Sequence, residues 1–380
     1  VGIPNVLGLG PAPLAPFRRF PPTVGPSGNT AAWVTLRHRT GARPAGLAQC
    51  STRRSRLDAL KPREQLLLIR KYGGLGDILI SSMLFPMLAD QHPEIRVTYA
   101  CPRAFHPLFD GSRLRLLAYE DVWSRREIDR HRGSVRPELL DTYDLIEDIS
   151  VPCHVWENFF LAHGGIDPGS RLKWRNRLDM WARWFGLQVQ NPRTNIRIRD
   201  EERAAARRLL VELAGTDRPV CLLSPFAANR TKSYPWFEEL AARLAEAGFA
   251  VGLLHHKTIP SDFPTLAGLS LRMMGAVCAA ADLIVAVDTA AFHWGGILGR
   301  PTIGIFNVND GAAYCRYYPT ARFVQTCAQP CINVRYGPGE GTCPKHTRET
   351  LPAIPVSGLA TSRCYSRSTV QQIMEALRSR

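Results

Sequence analysis

One pattern constrains the fold more than any other, because it occurs twice, with its turns at Asp77 and Asp288, 211 positions apart. In each copy a short apolar run enters a tight turn that carries an Asp and then a helical stretch. The first reads Leu66 to Arg70, then Gly74-Leu-Gly76-Asp77; the second reads Leu283 to Val287, then Asp288-Thr289 with His293 four residues on. Continuous apolar strands suit parallel sheets covered by helices on both faces, and α/β proteins place reactive and phosphate-binding groups at such strand ends. Two copies separated by a domain length predict a cleft between two nucleotide-fold lobes.

The periodicity around these stretches fills in a βα series. In the first lobe it predicts a turn over 73–76, a helix from Ile78 to Ala89 interrupted by Pro86, and strands over Ile95–Ala100 and Leu145–Ile149. A helix from about Arg171 to Phe185 gathers Trp174, Leu178, Trp181 and Phe185 on one face and leaves Lys173, Arg175, Arg177 and Arg183 elsewhere. That apolar face either docks on the sheet or forms a basic, aromatic patch for a membrane or an acceptor. A second cycle predicts helix 201–214, strand Val220–Leu223, a loop from Ser224 to Lys232, helix Pro235–Ala247 and strand Ala250–Leu254. Helix Leu271–Ala280, strand Leu283–Val287, helix Ala290–Leu298 and strand Thr302–Phe306 follow. The polar stretch 191–200, with Pro192, marks a junction, so the expected domains are 63–195, 196–325 and a Cys-containing segment 326–380 that ends in a helix.

With 380 residues, 45% hydrophobic and 21% charged, the chain has room for two ordinary domains, and no apolar run reaches the ~18 residues of a membrane span. Its net charge of +15 is unevenly spread: residues 1–57 hold eight Arg, eight Pro and seven Gly without one acidic residue. Residues 1–62 are therefore expected to be a disordered leader; the Arg-rich composition fits a transit peptide, but the Pro density opposes the amphipathic helix such peptides form. The +7 that remains beyond residue 57 suits anionic lipid or a phosphorylated substrate and requires no nucleic acid.

The turn at Gly74 and Gly76 begins like a dinucleotide fingerprint, yet the third Gly is missing and Asp77 stands where a pyrophosphate would approach. Asp77 is then either a plain helix cap or an ionised, positioned general base. The Lys232 loop is short and basic between a strand and a helix; it contacts a diphosphate or holds a solvated lysine. Asp288, Thr289 and Ala290 offer a hydroxyl and helix N–H groups to an anion, whereas a lone His293 after a strand is ordinarily structural.

Taken together, these residues resemble glycosyltransferase family 9, the heptosyltransferases, whose architecture is GT-B: two facing Rossmann-like domains with parallel sheets and an interdomain cleft. The resemblance rests on Gly74-Leu-Gly-Asp77 after a strand, His92-Pro-Glu94 before one, Ser224-Pro225, and Lys232 with Tyr234-Pro-Trp236. It continues through Leu266-Ala-Gly268 with Ser270-Leu271, Ala281 to Val285, Asp288-Thr289 with His293, and Leu298-Gly-Arg-Pro301. It implies an inverting transfer in which Asp77 takes the acceptor's proton. Lys232, Ser224, Thr289 and the backbone from Ala290 would hold the donor diphosphate, with Asp288 and His293 fixing sugar and phosphate. It further implies an ADP-heptose-like donor, a surface-glycan or lipopolysaccharide-core acceptor, no cofactor for transfer, and a cytoplasmic site at the inner face of the plasma membrane.

The chain departs from the family at Ala290, where Gly is usual, at Met83, where Pro is common, and at His255-His256-Lys257, where an acidic residue near the ribose is frequent. Cys327, Cys331, Cys343 and Cys364 form a loose C-terminal group that either binds structural iron or zinc or stays as reduced thiols or a disulfide pair in an irregular loop. A family branch that modifies autotransporter proteins binds iron through such a group, which gives a rival expectation of protein O-heptosyl transfer. A second rival is a nucleotide-sugar-binding protein of the same fold without turnover.

Overall fold

A computed structural model describes residues 65–69, 74–122, 136–149, 176–215, 218–228, 232–307, 309–326, 355–356, 359–360 and 365–378. The expected leader and the four C-terminal cysteines lie outside the described residues.

The first sheet comes from β1 (Gln65–Ile69), β2 (Arg96–Cys101), β3 (Arg115–Ala118) and β4 (Leu145–Asp148), in the order β3-β2-β1-β4. All its pairs are parallel, with Leu66 opposite Val97 on one side and Leu145 on the other. The second sheet comes from β5 (Val220–Ser224), β6 (Ala250–Leu254), β7 (Thr265–Leu266), β8 (Leu283–Val287), β9 (Thr302–Phe306) and β10 (Ala321–Gln325). Its order is β10-β9-β8-β5-β6-β7, again parallel throughout. Strands β5, β6, β8 and β9 are buried at every position, as their unbroken apolar runs require. A short antiparallel pair, β11 (Pro355–Val356) with β12 (Leu359–Ala360), follows.

In both sheets the chain leaves its first strand toward one edge and later returns to that strand's other side. Order reverses between β1 and β4 in the first sheet and between β5 and β8 in the second. Open α/β sheets bind ligands in the crevice at the carboxyl ends of strands at such switch points. The Gly74 turn follows β1, Ser224 closes β5, and Asp288 follows β8, so the topology carries both sequence patterns to switch points.

The helix expected over 78–89 is two helices, α1 (Leu75–Ser81) and α2 (Leu84–Gln91), broken at Ser82 and Met83. Ser81 and Ser82 each donate a hydroxyl hydrogen bond to the carbonyl three residues back, Ile78 and Leu79, at 2.8 and 2.6 Å, and the chain re-enters helix after that turn. Pro86 falls in the first turn of α2, where its missing N–H costs nothing, so it starts a helix and does not interrupt one. The edge strands β3 and β10 escape an apolar-run reading because each is partly exposed and carries Arg, Arg115 in β3 and Arg322 in β10.

Helices α3 (Pro137–Thr142), α4 (Arg177–Phe185) and α5 (Asp200–Ala214) precede the second sheet. In α4, Leu178, Trp181 and Phe185 are buried in the core, and Trp181 Nε1 donates to the Ile149 carbonyl at 3.1 Å. The apolar face is therefore a docking face, each such side chain contributing about 1.5–3 kcal/mol. Helices α6 (Phe237–Glu246), α7 (Leu271–Ala280), α8 (Ala290–Ile297), α9 (Gly311–Cys315) and α10 (Ser368–Arg378) complete the second unit of structure. None of the described helices is long and apolar enough to cross a membrane.

Candidate active site

Helix α1 begins at Gly74, which is exposed and makes no side-chain cap; Asp77 is the third residue of the helix, not its cap. Its carboxylate sits in the first turn, where the helix dipole favours negative charge, and forms an ion pair with Arg177 of α4. Both side chains are mostly buried, at 17% and 13% exposure. Of the two turn glycines, only Gly76 is demanded by space: a Cβ there would lie 2.7 Å from His293 Cδ2, whereas one on Gly74 would touch nothing. The first turn of α1 thus lies directly on α8 of the other lobe.

On that side, Asp288 leaves β8 and accepts hydrogen bonds on one oxygen from Lys232 Nζ at 2.6 Å and from Asn309 Nδ2. Its other oxygen is 3.7 Å from His293 Nε2. Burial alone would raise the Asp288 carboxyl, but the Lys232 ammonium and His293 outweigh it and hold the group well below the usual carboxylate range. His293 is buried, and that burial pushes its imidazole below the ordinary histidine value against the opposing pull of Asp288. A neutral ring that gives its Nε2 proton toward Asp288 accepts at Nδ1 from the Tyr318 hydroxyl, 3.0 Å away.

The anion-facing elements meet here as well. Ser224 Oγ and Thr289 Oγ1 approach to 3.5 Å across the ends of β5 and β8. Thr289 precedes α8 and its side chain accepts no cap hydrogen bond, so the first N–H groups of that helix, from the half-buried Ala290 on, are not capped by it. Lys232 is held by its backbone, since the Tyr365 hydroxyl donates to its carbonyl oxygen at 2.8 Å. A helix start, a lysine and two hydroxyls at a switch point can receive a diphosphate.

Of the residues read from the sequence, Asp77, Gly76, Ser224, Lys232, Asp288, Thr289, Ala290 and His293 converge, and Gly74 contributes only the helix start. Three participants had no sequence signal: Arg177, Asn309 and Tyr318. Their partners lie 100, 21 and 25 positions away, beyond any local pattern.

Residues 166–334 match the family model described as Glycosyltransferase family 9 (heptosyltransferase). The chain resembles glycosyltransferase family 9. No curated protein matches it. Among solved structures, E. coli ADP-heptose lps heptosyltransferase II superposes with a TM-score of 0.52 at 16% identity, covering 83% of this chain and 98% of that one. The iron-containing dodecameric glycosyltransferase TibC from enterotoxigenic E. coli gives a TM-score of 0.55 at 13% identity, covering 84% of this chain and 77% of that one. The two parallel sheets match the GT-B fold of these structures.

Among the described residues, no group of three or more His, Cys, Asp or Glu is arranged to hold a metal ion; Cys327, Cys331, Cys343 and Cys364 are not among them. Burial pushes the thiols of Cys101, Cys278 and Cys315 up to about 12, so these three are packing residues.

Proposed function

We propose that the chain is an inverting, metal-independent heptosyltransferase that uses an ADP-heptose-like donor and a lipopolysaccharide-core or other surface-glycan acceptor at the inner face of a membrane. The observation that carries this reading is the contact of the Gly76 turn with His293, which puts the first turn of α1, with the base candidate Asp77, beside the cluster of Asp288, His293 and Lys232. Heptose as the sugar is supported by the family match over 166–334, and ADP by the donor for which E. coli heptosyltransferase II is described.

In the proposed step the acceptor hydroxyl attacks the anomeric carbon while the bond from that carbon to the diphosphate oxygen breaks. The hydroxyl proton passes to Asp77. Negative charge develops on the departing diphosphate, and Lys232, Thr289 and the first N–H groups of α8 stabilise it in place of a divalent cation. Asp288 accepts two hydrogen bonds on one oxygen and is near His293 on the other, so its part is to hold Lys232 and His293 in position.

A thermal-shift screen against ADP-, GDP-, UDP- and CMP-sugars tests the donor. A ligand that binds only the native state at about 100 times its Kd adds about 2.7 kcal/mol. A shift confined to the ADP-sugars is expected; a shift with another nucleotide alone would overturn the donor assignment.

A further inference from the structure

Asp77 does not stand alone in the cleft, and the way its partner is delivered goes beyond the reading above while resting on it. Arg177 opens α4, a helix that packs on α1 and α2 of the first lobe. The first turn of α4 is also tied to the second lobe. Asn176, just before it, is buried and donates through Nδ2 to the Ala313 carbonyl at 3.0 Å. Asp179 accepts from Arg316 Nη1 at 2.9 Å and from the Tyr317 hydroxyl. Both flanking positions thus fasten to α9 and the turn after it. Arg177, between them, turns back to Asp77.

We propose that Arg177 is the positioning residue for Asp77: its guanidinium, carried by a helix start that is tied to the second lobe, keeps the Asp77 carboxylate aimed into the cleft. The coupling makes the orientation of a first-lobe base depend on a second-lobe contact. Two effects oppose each other. A cation beside a carboxylate lowers its basicity. A misaimed reacting group, however, costs about 10²-fold for a 1 Å displacement. Orientation wins in this account, because the pair is mostly shielded from water, where a single charge-assisted contact restrains a side chain far better than at the surface. Arg177 also bears electrostatically on His293, so its charge is felt in the Asp288 cluster as well.

The test compares the full chain with Arg177→Met and Arg177→Lys, using ADP-heptose and lipopolysaccharide-core acceptor. Arg177→Met is expected to lower kcat about 10²-fold with the donor KM unchanged, and Arg177→Lys to recover about tenfold of that loss, since lysine restores the charge but not the planar fork. Crystal structures of parent and Arg177→Met are expected to show the Asp77 side chain in a different rotamer. An unchanged rotamer, or an unchanged kcat, overturns the proposal. A KM rise at constant kcat overturns it as well, since it would make Arg177 a plain binding residue. The crystallographic arm decides even if this donor is not turned over. An Asp77→Ala variant separates the two ideas: its retained activity would sink the base assignment, whereas loss in Asp77→Ala without loss in Arg177→Met would sink only the positioning role.

Discussion

Gly76 and His293 meet so closely that a single methyl on the glycine would lie 2.7 Å from the ring carbon Cδ2. Real Cβ contacts do not reach that distance, so the first turn of α1 can rest on α8 only while position 76 has no side chain. This contact joins two switch points that belong to separate sheets, and it brings the Asp77 pair and the Asp288 cluster to a common border.

Gly76→Ala should therefore act on the cleft more than on the fold. Overpacking costs roughly 1–3 kcal/mol, and displacement of the Asp77 turn should lower transfer about 10²-fold. Urea unfolding and donor turnover measured on the same preparation check this. Unchanged turnover would mean that the turn and α8 are not in contact in solution.

Lys232→Ala should weaken nucleotide-diphosphate binding. A hydrogen bond to a charged group contributes about 1.5–3 kcal/mol, equivalent to roughly a 10- to 150-fold rise in Kd. Isothermal titration with ADP reads it directly. The variant also leaves the buried Asp288 carboxylate with Asn309 but without its cation, so a stability loss of about 3–5 kcal/mol should accompany the loss of affinity, and urea unfolding reads it.

The buried imidazole of His293 gives a pH signature. Its folded-state value is lowered, so between that value and the unfolded ~6.5 the unfolded chain binds a proton that the native state refuses. Native stability should fall as pH drops below about 6.5, and His293→Gln should flatten that slope. Urea unfolding at a series of pH values checks it; parallel curves for parent and variant would contradict the burial argument.

Arg272 of α7 offers a stability test away from the chemistry. Its guanidinium, 10% exposed, pairs with Glu202 and donates to the carbonyls of Pro107 at 3.0 Å, Leu108 at 3.3 Å and Arg197 at 2.8 Å. It joins the first lobe, the 191–200 junction and α5 at one point. Arg272→Met leaves a carboxylate and three carbonyls short of a donor, and breaking a buried pair costs about 3–5 kcal/mol. A loss under about 1 kcal/mol by urea unfolding would show that water replaces the guanidinium at little cost.

The sequence revealed those parts of the fold whose burial is local. Val220 to Leu223, Ala250 to Leu254 and Leu283 to Val287 are apolar at nearly every position because both their faces are covered, and they read as strands without help. Arg115–Ala118 and Ala321–Gln325 were hidden because an edge strand needs only one covered face and tolerates arginine. The candidate site divides in the same way. Asp288 announces itself at a strand exit, and Asp77 and His293 in the helix turn that follows an apolar run, whereas Arg177 reads as one more cation on the polar side of an amphipathic helix. Only the docking of α4 on both lobes turns it toward Asp77.

The most direct test of the account is an Asp77→Ala variant assayed for heptose transfer and, separately, for donor binding. If Asp77 is the base beside an intact diphosphate pocket, transfer should fall by about 10²-fold or more while ADP-heptose affinity stays within about twofold of the parent. Transfer at the parental rate, or loss of donor binding equal to the loss of transfer, would contradict it.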